Sequence, residues 1–283
     1  MSNSIFREIE YSDAIDFINK MFLILNEYEG KHFIFRGQNG KDELGPSISR
    51  GEIVNKIGIF LPEIESVIIE LLQREFVAYV NPLPSNILEY LAIAQHHGLP
   101  TRLLDWTLLP VYALWFALPS ARYRTFQRSF VNNSKCYPTV IALEIKNTDF
   151  YDQANLPLKS AEIDKSDKIK FYNPKPFSKR ILTQQGLFSV HRFDSNKNNF
   201  ISLENEKDFL MNRICVKFIP NKVDGFDGAT DLFTILQQLS HLGANYRTIY
   251  PDLDGFCKNI GLEMIQLMFE KYLQEIKIAH PCA

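Results

Sequence analysis

The residues of this chain best suited to chemistry fall in a few short stretches. FIFRGQ, residues 33–38, ends an apolar run on Arg36 and Gly37. QHHGLPTRLLDWT, residues 95–107, sets Gln95, His96, His97, Thr101, Arg102 and Asp105 among apolar neighbours. ILTQQGLFSVH, residues 181–191, places Gln184 and Gln185 before Gly186. An arginine at the end of an apolar strand is costly to bury unless an anion or a carboxylate meets it. Arg36 therefore reads in two ways: as the partner of a core acid such as Asp105, or as an anion ligand. Gly37 removes a side chain where something must approach the backbone closely. Arg102 and Asp105 are spaced to form a buried ion pair that fixes their loop, with direct chemistry as the other reading. His96 and His97 end a helix, where the C-terminal dipole favours imidazolium. Being adjacent, they point in different directions and do not make a joint metal site. Glutamines before a glycine in a strand-like pattern suggest a bulge or a backbone held open for a ligand, and equally a hairpin turn. In YPDLDG, Asp252 and Asp254 could be a metal pair, but an Asx-type turn capping the last helix explains them with less.

The elements that must position these residues follow from periodicity. SDAIDFINKMFLILNEY (12–28) has helical spacing with Ser12 or Asp13 as cap, and KHFIFRGQ (31–38) reads as a strand. PEIESVIIELLQREFVAY (62–79) is an amphipathic helix with proline in its first turn, and ILEYLAIAQHHG is a second helix stopping at Gly98. LPTRLLDWT is a loop or short strand, VYALWFALPSA a buried helix, and TVIALEI (139–145) a central strand. Residues 151–178 are polar and irregular, a surface excursion; 180–193 alternate and contain a strand or hairpin; RICVKFIP (213–220) is a strand. FDGATDLFTILQQLSHLG is a helix, YRTIYPDL a short strand, and a helix ends the chain. This order predicts an α+β fold with a mixed or mostly antiparallel sheet, N-terminal helices and a C-terminal helix. One domain over residues 1–283, with its core at about 30–256, fits this length.

Composition narrows the function classes. Hydrophobic residues make up 46% and charged residues 23%, which is globular usage. Lys and Arg number 31 against 33 Asp and Glu, for a net charge of −2, so there is no global basic field of the kind that binds duplex nucleic acid. The cysteines at 136, 215, 257 and 282 match no zinc spacing and read as free buried thiols in a reducing cytoplasm. The first residues carry no apolar signal segment, and no apolar run is long enough to span a bilayer, so a cytoplasmic protein without a membrane partner is expected. GxGxxG, GxxxxGK[ST], GxSxG and HExxH do not occur.

Taken in order, FRGQ at 35–38, QHHGLPTRLLDWT at 95–107, QQGLF at 184–188 and YPDLDG at 250–255 resemble the FRG-domain family of bacteria and phages. The resemblance implies that the polar groups of 95–107 belong to a signature surface, a pocket. It brings no settled activity with it. By further analogy, an arginine ending the first strand and followed by glycine is similar to the first motif of ADP-ribosyltransferases, where arginine holds the phosphates of NAD. On that analogy Arg36, Gly37, Thr101 and Arg102 would bind NAD, His97 would line the nicotinamide or ribose pocket, and Gln185 would lie near the reacting carbon. The late Glu-x-Glu or Gln-x-Glu of those enzymes has no clear counterpart: Gln185 is a loose stand-in, and Glu204 and Glu206 fall in a polar loop. The implied function is a NAD-dependent transferase-like toxin or phage-defence effector, with a protein or nucleic-acid target and an antitoxin as partners. A nucleotide- or nucleic-acid-processing protein and a non-enzymatic interaction module are the alternatives.

Overall fold

The computed structural model describes residues 6–40, 43–49, 61–118, 137–221 and 228–279. Its frame is a seven-stranded mixed sheet in the order β1-β9-β4-β2-β3-β6-β5. The strands are β1 (Arg7–Tyr11), β2 (His32–Asn39), β3 (Leu103–Thr107), β4 (Pro138–Ile145), β5 (Lys170–Tyr172), β6 (Gly186–Val190) and β9 (Cys215–Pro220). β7 (Phe193–Asp194) and β8 (Asn199–Phe200) form a separate hairpin. Every neighbouring pair is antiparallel except β1 with β9. The helices are α1 (Ala14–Glu27), α2 (Leu61–Glu75), α3 (Ile87–His96), α4 (Pro110–Ala117), α5 (Ser160–Asp164), α6 (Lys179–Gln184), α7 (Lys207–Met211), α8 (Gly228–His241), α9 (Tyr246–Ile249) and α10 (Leu253–Ala279). The fold is α+β, as the sequence predicts.

Local chemistry explains the boundaries. Asp13 caps α1, its carboxylate accepting from the backbone N–H groups of Ile15 and Asp16 at 2.9 Å. α1 buries Ala14, Phe17, Met21 and Ile24, a helical stripe laid on the sheet. All eight residues of β4 are buried, which accounts for its apolar run Val140–Leu143 in mid-sheet, and the buried Glu144 is paired with Lys31 at 3.2 Å. β2 splits its side chains between two cores: Phe33 and Phe35 join the cluster of α1, α4 and α8, whereas Ile34 joins that of Trp106, Leu187 and Phe171. Gly37 lies directly beneath α4. A Cβ there would stand 1.7 Å from the Ala113 carbonyl oxygen, so only glycine allows the helix to cross so closely.

Several expectations need correction. Residues 179–184 form α6, with the Ser178 hydroxyl capping the Ile181 N–H at 3.2 Å. Gln185 ends that helix in the left-handed conformation, φ 45°, and the strand begins only at Gly186. YRTI is helix α9, where Asn245 and Thr248 form a reciprocal capping box that outweighs the β-branched composition. The 151–178 stretch contains α5 and edge strand β5, and Ile163, Ile169, Phe171 and Tyr172 of this stretch are buried. β1 went unpredicted because REIEY reads as polar and its pairing partner is some 200 residues away. Of the cysteines, Cys215 is buried and Cys257 exposed, while 136 and 282 lie outside the described residues. Among the described residues no helix is long and apolar enough to cross a membrane.

Candidate functional site

β2 and β4 pair over eight residues, His32 to Asn39. β2 and β3 pair through one, Phe35 opposite Thr107. The sheet therefore splays at this seam, and a cavity of about 320 Å³ opens there. Its lining comes from β2 (Phe35, Arg36, Gly37), the end of α3 (Gln95, His96), β3 (Asp105–Thr107), α6 (Arg180, Ile181, Gln184), the start of β6, and Phe116 and Tyr250.

Arg36 spans the seam. Its Nη1 donates to the backbone carbonyl of Asp105 at 2.8 Å, a cross-strand link where ladder bonds give out. The expected Arg36–Asp105 carboxylate pair is thus replaced by a contact to the main chain. The Asp105 carboxylate accepts instead from Gln95 Nε2 at 2.9 Å, and Gln95 Oε1 accepts from the Thr101 hydroxyl at 2.9 Å. Thr101 is buried behind the cavity and acts through Gln95.

Arg180 enters from α6 with its guanidinium over the Tyr250 ring, 4.4 Å from the centroid. Its Nε is buried without a hydrogen-bond partner, and among the described residues no carboxylate lies within ion-pair distance of it. His96 packs edge-on against Phe177. Burial, then Arg180 and His97, push its pKa down to about 4, so the ring is neutral at pH 7. Burial also raises the Tyr250 phenol above its ordinary range. Gln184 is anchored by its amide, which donates to the Ile249 carbonyl at 3.1 Å, while its own carbonyl accepts from the Thr107 hydroxyl at 2.6 Å.

Of the residues the sequence nominated, Arg36, Gly37, Gln95, His96, Asp105, Gln184 and Gly186 line this cavity. His97 and Gln185 are exposed and do not, their places being taken by the preceding residues His96 and Gln184. The His96 and His97 rings pack edge-on, with centroids 5.0 Å apart and planes at 88°. Gly37 admits the backbone of α4 as well as bordering the cavity.

Arg102 lies elsewhere and is fully buried. Its Nε donates to Glu65 at 2.8 Å and its Nη1 to Asp164 at 2.7 Å; Ser160 donates to the same Glu65, and the Phe200 ring lies 4.8 Å from Cζ. Burial disfavours the charge, but attraction from Glu65 and Asp164 outweighs it and raises the Arg102 pKa. Asp105 is therefore not its ion-pair partner and sits exposed on β3.

Glu204 and Glu206 are also remote from the cavity. Glu204 accepts from the Leu44 N–H at 2.8 Å, and Glu206 pairs with Arg192 at 3.0 Å. In YPDLDG the expected capping is present as an N-cap: Asp252 Oδ1 accepts from the Gly255 N–H at 2.7 Å at the start of α10. His191 is a core residue, its two ring nitrogens bonded to Ser189 at 3.0 Å and to the Ile201 carbonyl at 2.6 Å.

Arg180 is the residue that sequence reasoning missed. A usable signal existed: Arg180 and Gln184 are four apart, on one face of a helix.

Residues 31–125 match the FRG domain family. The FRG-like stretch covers about a third of the chain and carries Arg36, Gly37, Gln95, His96 and Asp105, one part of the cavity lining. Arg180, Gln184 and Tyr250 lie beyond it. Neither the curated proteins nor the solved structures offer a match to this chain.

Proposed function

We propose that the cavity at the β2–β3 seam binds a nucleotide by its phosphates, that NAD is the ligand, and that the protein is an ADP-ribosyltransferase-like toxin or defence effector. One observation carries the reading: Arg180 is set into the cavity lining without a carboxylate of its own. A partly buried guanidinium left uncompensated by the fold is stabilised by a ligand anion. Arg36, in the same lining, adds a second planar donor fork suited to phosphate. The Phe35, Phe116 and Tyr250 rings offer apolar surface to a base. The volume sits at the small end of the ~300–1,000 Å³ usual for ligand sites, so the enclosed part takes one nucleotide half and the remainder lies over the mouth. In the transfer step, the bond between ribose C1′ and nicotinamide breaks with its electron pair leaving on nicotinamide. A target nucleophile then bonds to C1′ and gives up its proton.

Isothermal titration of NAD tests binding, and nicotinamide release tests transfer. The wild type binds NAD; Arg180→Ala and Arg36→Lys weaken it roughly ten- to hundredfold, the loss of a charge-assisted hydrogen bond of about 1.5–3 kcal/mol. Arg180→Ala costs the fold about 1 kcal/mol, the contact with the Tyr250 ring, and no buried ion pair. Binding of single-stranded RNA in place of NAD, with the same arginine dependence, would move the reading to nucleic acid. If the wild type is toxic to a bacterial host, a folded Arg180→Ala protein relieves the toxicity at equal expression.

A further inference from the structure

Among the described residues that line the cavity Asp105 is the sole carboxylate, and a hydrogen-bond chain of fixed direction ends on it. The main-chain N–H of Leu103 donates to Thr101 Oγ1 at 3.1 Å, which turns the Thr101 hydroxyl proton towards Gln95 Oε1 at 2.9 Å. With its oxygen so occupied, the Gln95 amide must present its NH₂ group, and Nε2 donates to Asp105 Oδ2 at 2.9 Å. Thr101 is 1% exposed, so the chain is anchored inside the fold and points outward. The other carboxylate oxygen, Oδ1, accepts no hydrogen bond from the described residues. An ionised carboxylate only accepts, so whatever meets Oδ1 must bring donors. A cationic ligand group is disfavoured here, because Arg36 and Arg180 share the lining. What remains is a ligand that is anionic at one end and carries neutral hydroxyl donors at the other. Vicinal ribose hydroxyls donating to an acidic side chain are a recurrent arrangement of that kind.

We propose that Asp105 is the ribose-binding residue of this cavity, selecting ribonucleotides over 2′-deoxyribonucleotides, and that Gln95 and Thr101 are its positioning residues. The inference rests on the nucleotide reading above and deepens it.

The test is titration calorimetry of the whole chain with inorganic pyrophosphate, ADP and 2′-deoxy-ADP. The wild type binds ADP more tightly than pyrophosphate, and ADP roughly tenfold or more tightly than 2′-deoxy-ADP. Asp105→Asn, isosteric and on an exposed position, loses the ribose preference and keeps pyrophosphate binding. Thr101→Val removes the hydroxyl that sets the Gln95 amide and also loses the preference; Thr101→Ser keeps the hydroxyl and retains it. A merely structural threonine would alter stability in Thr101→Val without touching the ADP to 2′-deoxy-ADP ratio. Pyrophosphate bound as tightly as ADP by the wild type overturns the nucleotide reading and this inference with it. ADP bound more tightly than pyrophosphate, but equal to 2′-deoxy-ADP or unaffected in its preference by Asp105→Asn, overturns this inference alone.

Discussion

Two arginines near the sheet's smaller half meet opposite fates. Arg102 is fully enclosed by Glu65, Asp164 and the Phe200 ring, all supplied by its own chain. Arg180 has the face of Tyr250 and, among the described residues, no carboxylate partner. Both guanidiniums are partly or wholly withdrawn from water, so both need negative charge. In one case the fold provides it and the arginine belongs to the architecture. In the other the described residues withhold it next to a cavity, and this is the position where the proposed ligand would supply it.

The strongest way to break this contrast is to deprive Arg102 of its partner. Glu65→Ala leaves a buried guanidinium facing one carboxylate, and about 3–5 kcal/mol of stability should be lost in urea denaturation. A loss below about 1 kcal/mol would place Arg102 within reach of solvent and dissolve the distinction.

Protonation sharpens the other side. His96 is held at a pKa of about 4, against an ordinary 6.5, by burial and then by Arg180 and His97. Between those values the unfolded chain takes up a proton that the folded chain refuses, so stability falls as pH drops from about 6.5 to about 4 and levels off below. An anion bound beside Arg180 favours imidazolium, so binding should take up protons near pH 5.5 and affinity should rise as pH falls. Calorimetry in buffers of different ionisation enthalpy measures that uptake; its absence at pH 5.5 would put the anion away from His96.

The smallest effect belongs to Asp105. Because its carboxylate is exposed and bonded only through Gln95, Asp105→Ala should change stability by about 0.5 kcal/mol or less. A loss of several kcal/mol in thermal unfolding would restore the buried ion pair that its spacing from Arg102 first suggested.

The sequence makes the frame legible where one period dominates. β4 carries the apolar run Val140–Leu143, α1 has its stripe and its Asp13 cap, and β2 ends visibly on Arg36-Gly37. The site is legible as far as its FRG-like part, since Arg36, Gln95 and Asp105 stand out against apolar neighbours. Beyond that, the errors have a common physical origin in helical phase. Taking 180–193 as alternating hid the helix that brings Arg180 and Gln184 to one face. The same uncertainty at helix ends selected His97 over His96 and Gln185 over Gln184, because a 100° turn per residue decides which neighbour faces inward. The partner of Arg102 was visible in principle: Glu65 is in phase with Ile69 and Leu72, an acid on the buried side of α2. That phase says an acid is buried, and only the fold says which base it meets.

The single backbone pair between β2 and β3 has a mechanical consequence. Strands β1, β9, β4 and β2 form one stiff plate, and β3, β6 and β5 form another, because each set is laddered internally over several residues. Across the joint the backbone ladder is reduced to Phe35–Thr107, supplemented by the Arg36 side chain reaching Asp105 and by the packing of Ile34 with Trp106 and Leu187. Groups on one plate keep fixed spacing, whereas Arg36 and Arg180 ride on different plates. A ligand gripped by both, as proposed above, would act as a strut across the joint.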